Sequence, residues 1–245
     1  MPLISVLTAC CRPVPAQLLE AYQSLCRQAL PAGWEWEWVI QEDGRTGSAG
    51  EILPQDDRIT LGFGRPGGVA ITRNLGLSRA DGELVRNLDQ DDVLTTGALF
   101  RDVAALADSG IGWATSRARD VYPDGSMKDF PDSPPTGPLA PGTVLRYWRE
   151  HDYRLPVHPT TLCIRRSLVT ALGGWMAVPG SDDTGLLLAA SVVSTGYFIG
   201  EVGLLYRRWP GQESAGEAHN EPIERRARMK LIDERATNLA RIWHR

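Results

Sequence analysis

The chain has 245 residues, of which 42% are hydrophobic and 23% charged, and its formal net charge is -4. That length and balance suit one large α/β domain or two small ones and exclude a long disordered chain. A net-acidic chain argues against sequence-independent nucleic-acid binding, which needs a basic face, so no nucleic-acid partner is expected, although the stretch Arg225 to Arg245 is locally basic. The four cysteines, Cys10, Cys11, Cys26 and Cys163, include an adjacent pair and no C-x-x-C pair, a pattern of reduced thiols. No apolar run approaches a membrane span, and no basic segment precedes the opening apolar stretch. A cytoplasmic location is the resulting expectation.

In chain order, residues 3–9 are β-branched and apolar and predict a buried strand, broken by Pro13 and Pro15. Residues 16–30 carry Leu18, Leu19, Tyr22, Leu25, Cys26 and Ala29 at helical spacing. Residues 35–40 alternate as a second strand, which the turn Glu42-Asp43-Gly44 ends. A short strand at 58–62, a glycine-rich loop at 64–68 and a helix over 69–80 follow. Residues 83–88 predict a fourth strand. It delivers the acidic run Asp89-Gln90-Asp91-Asp92, and Thr95 or Thr96 can cap a helix over 97–109. Residues 111–115 return as a strand.

Six prolines between 120 and 142 then predict a long connection. Beyond it come a strand at 162–164, a helix at 166–172 closed by Gly173-Gly174, and an apolar helix over 185–195 preceded by Asp182-Asp183. Strands at 197–200 and 202–206 and an amphipathic helix over 221–243 complete the chain. The alternating first half implies a mostly parallel sheet, whose ligands sit at the carboxyl ends of its strands. Thr8, Asp43 and Asp89 all fall at such ends. Three carboxylates within four residues repel one another and suit a hard divalent cation, Mn²⁺ or Mg²⁺, able to hold a diphosphate. A solvated acidic turn capping the next helix is the plainer alternative.

Three segments carry a resemblance: Gly67-Gly68-Val69-Ala70-Ile71-Thr72-Arg73-Asn74-Leu75-Gly76, then Ala80-Asp81-Gly82-Glu83, then Leu88-Asp89-Gln90-Asp91-Asp92. Together they resemble the first half of family-two GT-A glycosyltransferases, with their A-R-N-x-G helix, A-x-G-E strand entry and L-D-x-D-D end. Thr72 stands where the family usually has Ala. The resemblance covers residues 3–110 well and 155–215 more loosely. It implies a GT-A fold: a Rossmann-like, mostly parallel sheet with flanking helices and a smaller acceptor-side region. Residues 1–115 would form the donor half, 116–220 the acceptor half with a lid loop, and 221–245 a C-terminal helix, all within one domain.

The resemblance also assigns roles. Thr8 and Ala9 would line the base pocket, Asp43 would accept a hydrogen bond from the base, and Arg73 would contact the nucleotide. Asp89 would lie near the ribose, Asp91 would bind the metal, and Asp92 would order water on it or cap the helix. Gly173-Gly174-Trp175 followed by Asp182-Asp183 resembles the G-G-f…E-D segment, making Asp183 the general base of an inverting transfer. Asp182 replaces the usual Glu on the acceptor side, and Trp175 is either an acceptor platform or core. Tyr206 to Ser214 resembles a late Y-R-x-H-x-G-x-x-S loop that closes over the diphosphate, with Arg207 or Arg208 as its phosphate contact. Trp209 stands where the His often is, and an indole N–H cannot ligate a metal. For Arg73 a surface ion pair with Asp81 or Glu83 is the bland alternative, and for His158 simple packing in a loop.

The implied reaction moves a sugar from a nucleoside-diphosphate sugar to an acceptor hydroxyl, on a small molecule or glycoside. A nucleotidyltransferase would need a Gly-rich basic loop after the first strand, which Thr8-Ala9-Cys10-Cys11-Arg12-Pro13 is not. A non-catalytic sugar-nucleotide binder remains a rival, while a dinucleotide oxidoreductase lacks its G-x-G-x-x-G. The basic amphipathic tail could pack on the domain, form a homodimer or touch an anionic membrane surface.

Overall fold

A computed structural model describes residues 1–212 and 216–243. Its elements in order are β1 (Leu3–Cys10), α1 (Pro15–Cys26), β2 (Glu35–Glu42), α2 (Ser48–Ile52), β3 (Ile59–Phe63), α3 (Val69–Leu77), β4 (Leu84–Asn87), β5 (Val93–Leu94), α4 (Ala98–Ala105) and β6 (Ile111–Val121). They continue with β7 (Met127–Asp129), β8 (Gly137–Leu139), α5 (Thr143–Glu150), a 3-10 turn at Pro159–Thr161, β9 (Cys163–Arg165), α6 (Arg166–Ala171), α7 (Asp182–Val193), β10 (Thr195–Arg207), α8 (Glu217–Asn220) and α9 (Pro222–Trp243).

One sheet runs β3-β2-β1-β4-β9-β6-β10-β5, with β7 beside β6 and β8 beside β10. Strands β3, β2, β1 and β4 are mutually parallel, the consequence of helical crossovers between them. Strand β9 enters antiparallel between β4 and β6. The sheet is thus mostly parallel with flanking helices, as the alternating pattern implied. β1 is buried almost throughout, which its unbroken apolar run requires of a strand covered on both faces.

Each face of the sheet carries its own core. On one face Val6, Ile40 and Leu84 pack with Leu18 and Leu25 of α1 and Leu99 and Val103 of α4. On the other, Leu7, Val39 and Val85 join Trp113, Trp148, Trp175, most of α7 and Met229, Ile232 and Ala236 of α9. The C-terminal helix therefore packs on α7, while its Ile223, Leu231, Ile242 and Trp243 stay exposed. Among the described residues no helix is long and apolar enough to cross a membrane. All four cysteines are free.

The proline-rich connection is more ordered than its composition suggests. Strand β6 turns back through a tight turn, where Tyr122 N donates to Ser126 O at 2.9 Å, into β7. β8 pairs with β10 as a short outer strand, a place that tolerates Pro138 because proline has no amide donor. Helix α5 was not anticipated, although Val144, Leu145 and Trp148 have the spacing of a buried helical stripe. The two strands expected over 197–206 are one continuous β10, whose register shifts near Val202.

Beneath the carboxyl end of β4 lies a buried ion pair. Arg86 Nε is 2.9 Å from Asp102 Oδ2, and neither side chain is more than 2% exposed. Arg86 also donates to the carbonyls of Asn87 and Thr160, so it ties the base of the acidic run to the turn before β9. Removing Asp102 leaves that guanidinium buried without its counter-ion. We expect Asp102→Ala to lower the unfolding free energy by on the order of 3–5 kcal/mol, read from urea titration.

Candidate active site

Loops at the carboxyl ends of β1, β2 and β4, together with the start of α7, converge on one crevice. At the end of β2, buried Glu42 accepts hydrogen bonds from the amides of Thr46, Gly47 and Ala49. Those bonds outweigh the upward effect of burial and hold its pKa below the ordinary value. Next to it, Asp43 accepts from Gly67 N at 2.6 Å and from Gly68 N through both oxygens. Asp43 thereby fixes the glycine-rich loop that leads into α3.

Thr8 does not line a pocket. Its side chain is fully buried, donates to Leu88 O at 2.6 Å and accepts from Trp38 Nε1 at 2.8 Å. Ladder geometry explains this: alternate residues of a strand point to opposite faces, and at Thr8 that direction is the sheet interior. Ala9 is the partly exposed residue of the pair. At the same strand end Gln90 and Cys11 exchange two hydrogen bonds of 2.9 Å, side chain to main chain, so the acidic run is sewn to β1.

Arg73 occupies the centre. Its Nη2 lies 2.7 Å from Asp89 Oδ1 and its Nη1 2.7 Å from Asp182 Oδ2. Burial opposes its charge, but Asp182, Asp89 and Asp183 overcome that and raise its pKa further. Arg73 is therefore neither paired with Asp81 or Glu83 at the surface nor free for a nucleotide. It joins β4 to α7. Asp182, 3% exposed, is correspondingly its counter-ion and not an acceptor-binding group.

Asn74 adds a second clamp between the same elements. Its side chain accepts from Trp175 N and donates to Trp175 O, both at 2.9 Å. Gly174 makes this possible, because its φ of +73° is left-handed and a Cβ there would lie 2.0 Å from Asn74 Oδ1. Trp175 itself is 2% exposed inside the core, so it offers no face to an acceptor sugar. A sequence shows an aromatic beside a double glycine but not which way the turn throws it.

The three acids of the run have three environments. Asp89 contacts Arg73 and, at 3.5 Å, Thr160 Oγ1. Asp91 accepts from Trp209 Nε1 at 2.7 Å through Oδ2, and burial followed by the charge of Asp89 raises its pKa. Asp92 is fully buried and accepts from Arg207 N at 2.9 Å. Burial first, then Asp89 and Asp91, push its carboxyl far up, so it neither orders surface water nor caps a helix from solvent. Arg207 is also spent, since its guanidinium donates to Asp91 O at 2.8 Å and to Glu20. Arg208 is the more exposed of the two; it pairs with Asp120 at 3.0 Å and lies over the Tyr206 ring. Glu213 and Ser214 of the supposed lid lie outside the described residues.

Asp183 follows Asp182 at the start of α7 and is half-buried. Burial, then the charge of Asp182, raises its pKa to about 6 against the pull of Arg73. His158 is packed between Phe130 and Tyr206, and burial followed by the charge of Arg208 lowers its pKa to about 4, so it is a neutral core histidine.

A cation would find few ligands here. Among the described residues no three His, Cys, Asp or Glu side chains gather into a cage. The geometry instead suits Mg²⁺ or Mn²⁺, which bind one or two carboxylates and take the rest from water and phosphate.

With this geometry, the description of glycosyl transferase family 2 matches residues 5–166. The chain belongs to glycosyl transferase family 2. A comparison with curated protein sequences finds no match. Among solved structures, S. aureus TarS 1-349 is 17% identical with a TM-score of 0.61, covering 84% of this chain and 60% of TarS 1-349. Its complex with UDP-GlcNAc gives 18% identity and a TM-score of 0.66, covering 88% and 61%. At such identity the likeness establishes a shared fold, and this family-2 chain spans about three fifths of TarS 1-349.

Several site residues were not singled out from sequence: Glu42, Asn74, Gln90, Thr160 and Asp120. Asn74 and Gln90 sit inside the family motifs, so their signal was present without a role attached.

The Asp183 environment has a thermodynamic consequence. The folded chain keeps a proton on Asp183 up to about pH 6, whereas the unfolded chain releases it near the ordinary carboxylate value. Ionised Asp183 therefore costs stability above about pH 6 and costs none once both states are protonated. Asp183→Asn should stabilise the fold by on the order of 1–2 kcal/mol at pH 8 and leave it unchanged near pH 3.5, followed by thermal melts.

Proposed function

We propose that the chain is an inverting glycosyltransferase that moves a sugar from a nucleoside-diphosphate sugar to an acceptor hydroxyl. The observation that carries this reading is Asp183, a half-buried carboxylate with its pKa raised to about 6, held beside the Arg73–Asp182 pair at the same crevice as Asp89 and Asp91. A base with that pKa is ionised at neutral pH yet basic enough to accept a proton during attack. Family membership and the solved complexes of TarS 1-349 with UDP and with UDP-GlcNAc make a UDP-sugar the first donor to test.

In this mechanism Ala9 and Asp43 receive the base of the nucleotide, and the β4 end receives ribose and diphosphate. The acceptor hydroxyl gives its proton to Asp183 as its oxygen bonds to the anomeric carbon. The bond from that carbon to the diphosphate oxygen breaks on the opposite face, which inverts the configuration. A Mn²⁺ or Mg²⁺ ion held by Asp91 would supply positive charge to the leaving diphosphate. Arg73 holds Asp89 and Asp182 in place, so donor side and base keep a fixed separation. Arg208, partly exposed beside Asp120 and the Tyr206 ring, is an arginine that could meet an anionic group of the substrate. The acceptor is proposed to be a small molecule or glycoside.

Asp183→Asn should bind UDP as the parent does while transfer falls by roughly 10²–10⁴-fold, because only the base is removed. In the parent, log kcat/KM should rise with unit slope up to about pH 6 and level off above it, as Asp183 ionises. A variant with full activity would remove Asp183 from this role. For the cation, isothermal titration calorimetry of Asp91→Ala should lose the affinity for UDP that Mn²⁺ adds and keep the affinity measured in EDTA.

A further inference from the structure

Segment 206–212 meets the acidic run in a way that the transfer reaction alone does not require. The end of β10 is fixed: Arg207 N donates to Asp92 Oδ1, Arg207 Nε to Asp91 O, and Arg208 N to Val121 O at 2.8 Å. The next turn is closed as well, because Gln212 N donates to Trp209 O and Gln212 Nε2 to Arg207 O at 3.0 Å. On this shelf the indole of Trp209 reaches Asp91, with Nε1 2.7 Å from Oδ2. Gly211 gives the ring its place. A Cβ on Gly211 would lie 2.0 Å from Cζ3 and 2.6 Å from Cη2 of Trp209, so the ring rests where any larger residue would stand.

The hydrogen bonds around Asp89 and Asp92 make this contact consequential. Asp89 Oδ1 belongs to Arg73, and Asp92 is buried against Arg207. Asp91 is thus the acid of the run with the freest carboxylate, and one of its two oxygens belongs to Trp209. We propose that Trp209 is a positioning residue for the cation site: its indole N–H fixes the Asp91 carboxylate so that Oδ1 alone faces the cation. The ion is then held by one protein oxygen and completed by the diphosphate. Indole is a fixed, neutral, single-proton donor. It orients the carboxylate without discharging it, as an arginine or lysine would. The inference rests on Asp91 being the cation anchor of the proposed transferase.

The test is calorimetric and needs no turnover. UDP is titrated into the full chain in EDTA and again in Mn²⁺, and the ratio of the two Kd values measures the cation's contribution. Trp209→Phe keeps the ring and deletes the donor. It should shrink that ratio by roughly tenfold, the usual loss when an outer partner of a metal ligand is removed, while the Kd in EDTA and the Tm stay at parent values. Gly211→Ala leaves Asp91 untouched and has no left-handed φ to lose, but pushes the ring off its seat, and should shrink the ratio similarly. It decides the matter if Trp209→Phe fails to fold.

A Trp209→Phe ratio equal to the parent's overturns the proposal and leaves the cation reading intact. Weakening in EDTA as much as in Mn²⁺ overturns it too, since the indole would then only support the fold. A parent protein in which Mn²⁺ adds nothing to UDP affinity removes the cation reading and this inference together.

Discussion

A single guanidinium holds the crevice together. Arg73 is 5% exposed and lies between two carboxylates that belong to opposite sides of the site, Asp89 at the end of β4 and Asp182 at the start of α7. A buried cation is tolerated only when its partners are close and well aimed, and losing one partner of such a pair commonly costs 3–5 kcal/mol. Neither carboxylate can therefore drift without leaving charge stranded. The spacing between the end of β4 and the start of α7 is held by one guanidinium on α3, and Asn74, one residue further, ties the same helix to the main chain of Trp175. Two adjacent residues of one helix thus fasten the end of β4 to the segment that leads into α7.

This fastening also sets the chemistry of the groups beside it. Asp182 spends its charge on Arg73, which leaves Asp183 next to a neighbour that is negative but compensated. The result is a carboxyl raised to about 6 by burial and by Asp182 yet restrained by Arg73. Without the arginine the Asp183 carboxyl would be pushed higher still, because the pull that restrains it comes from Arg73. Asp182 reaches Arg73 directly, at 2.7 Å.

The parallel half was legible because its strands are buried on both faces and separated by amphipathic helices, which writes a clean alternation of patterns. β1, β2, α3 and β4 all fall where their apolar runs place them. The antiparallel half was not, since β7 and β8 are three residues each and α5 carries its apolar stripe through only eight. Side-chain types at the site were readable; their partners were not. Arg73 and Asp182 are 109 residues apart, Asn74 and Trp175 101, and Asp91 and Trp209 118, so no local pattern could pair them. Thr8, Arg73, Asp182 and Arg207 were read as ligand-facing, and Trp175 as either platform or core; in the structure each has protein partners.

What this leaves for a ligand is narrower than a cluster of three aspartates suggests. Like charges crowded at a strand end must be separated by environment, and the fold does so with three different partners: a guanidinium for Asp89, a main-chain amide for Asp92, an indole for Asp91. Only the indole is neutral and reaches its acid from a side chain on the far end of β10. Asp91 consequently has neither a guanidinium against its carboxylate, as Asp89 has, nor the full burial of Asp92. On the proposed reading, a cation here would arrive with its own phosphate oxygens, because two of the three carboxylates of the run are already committed to protein partners.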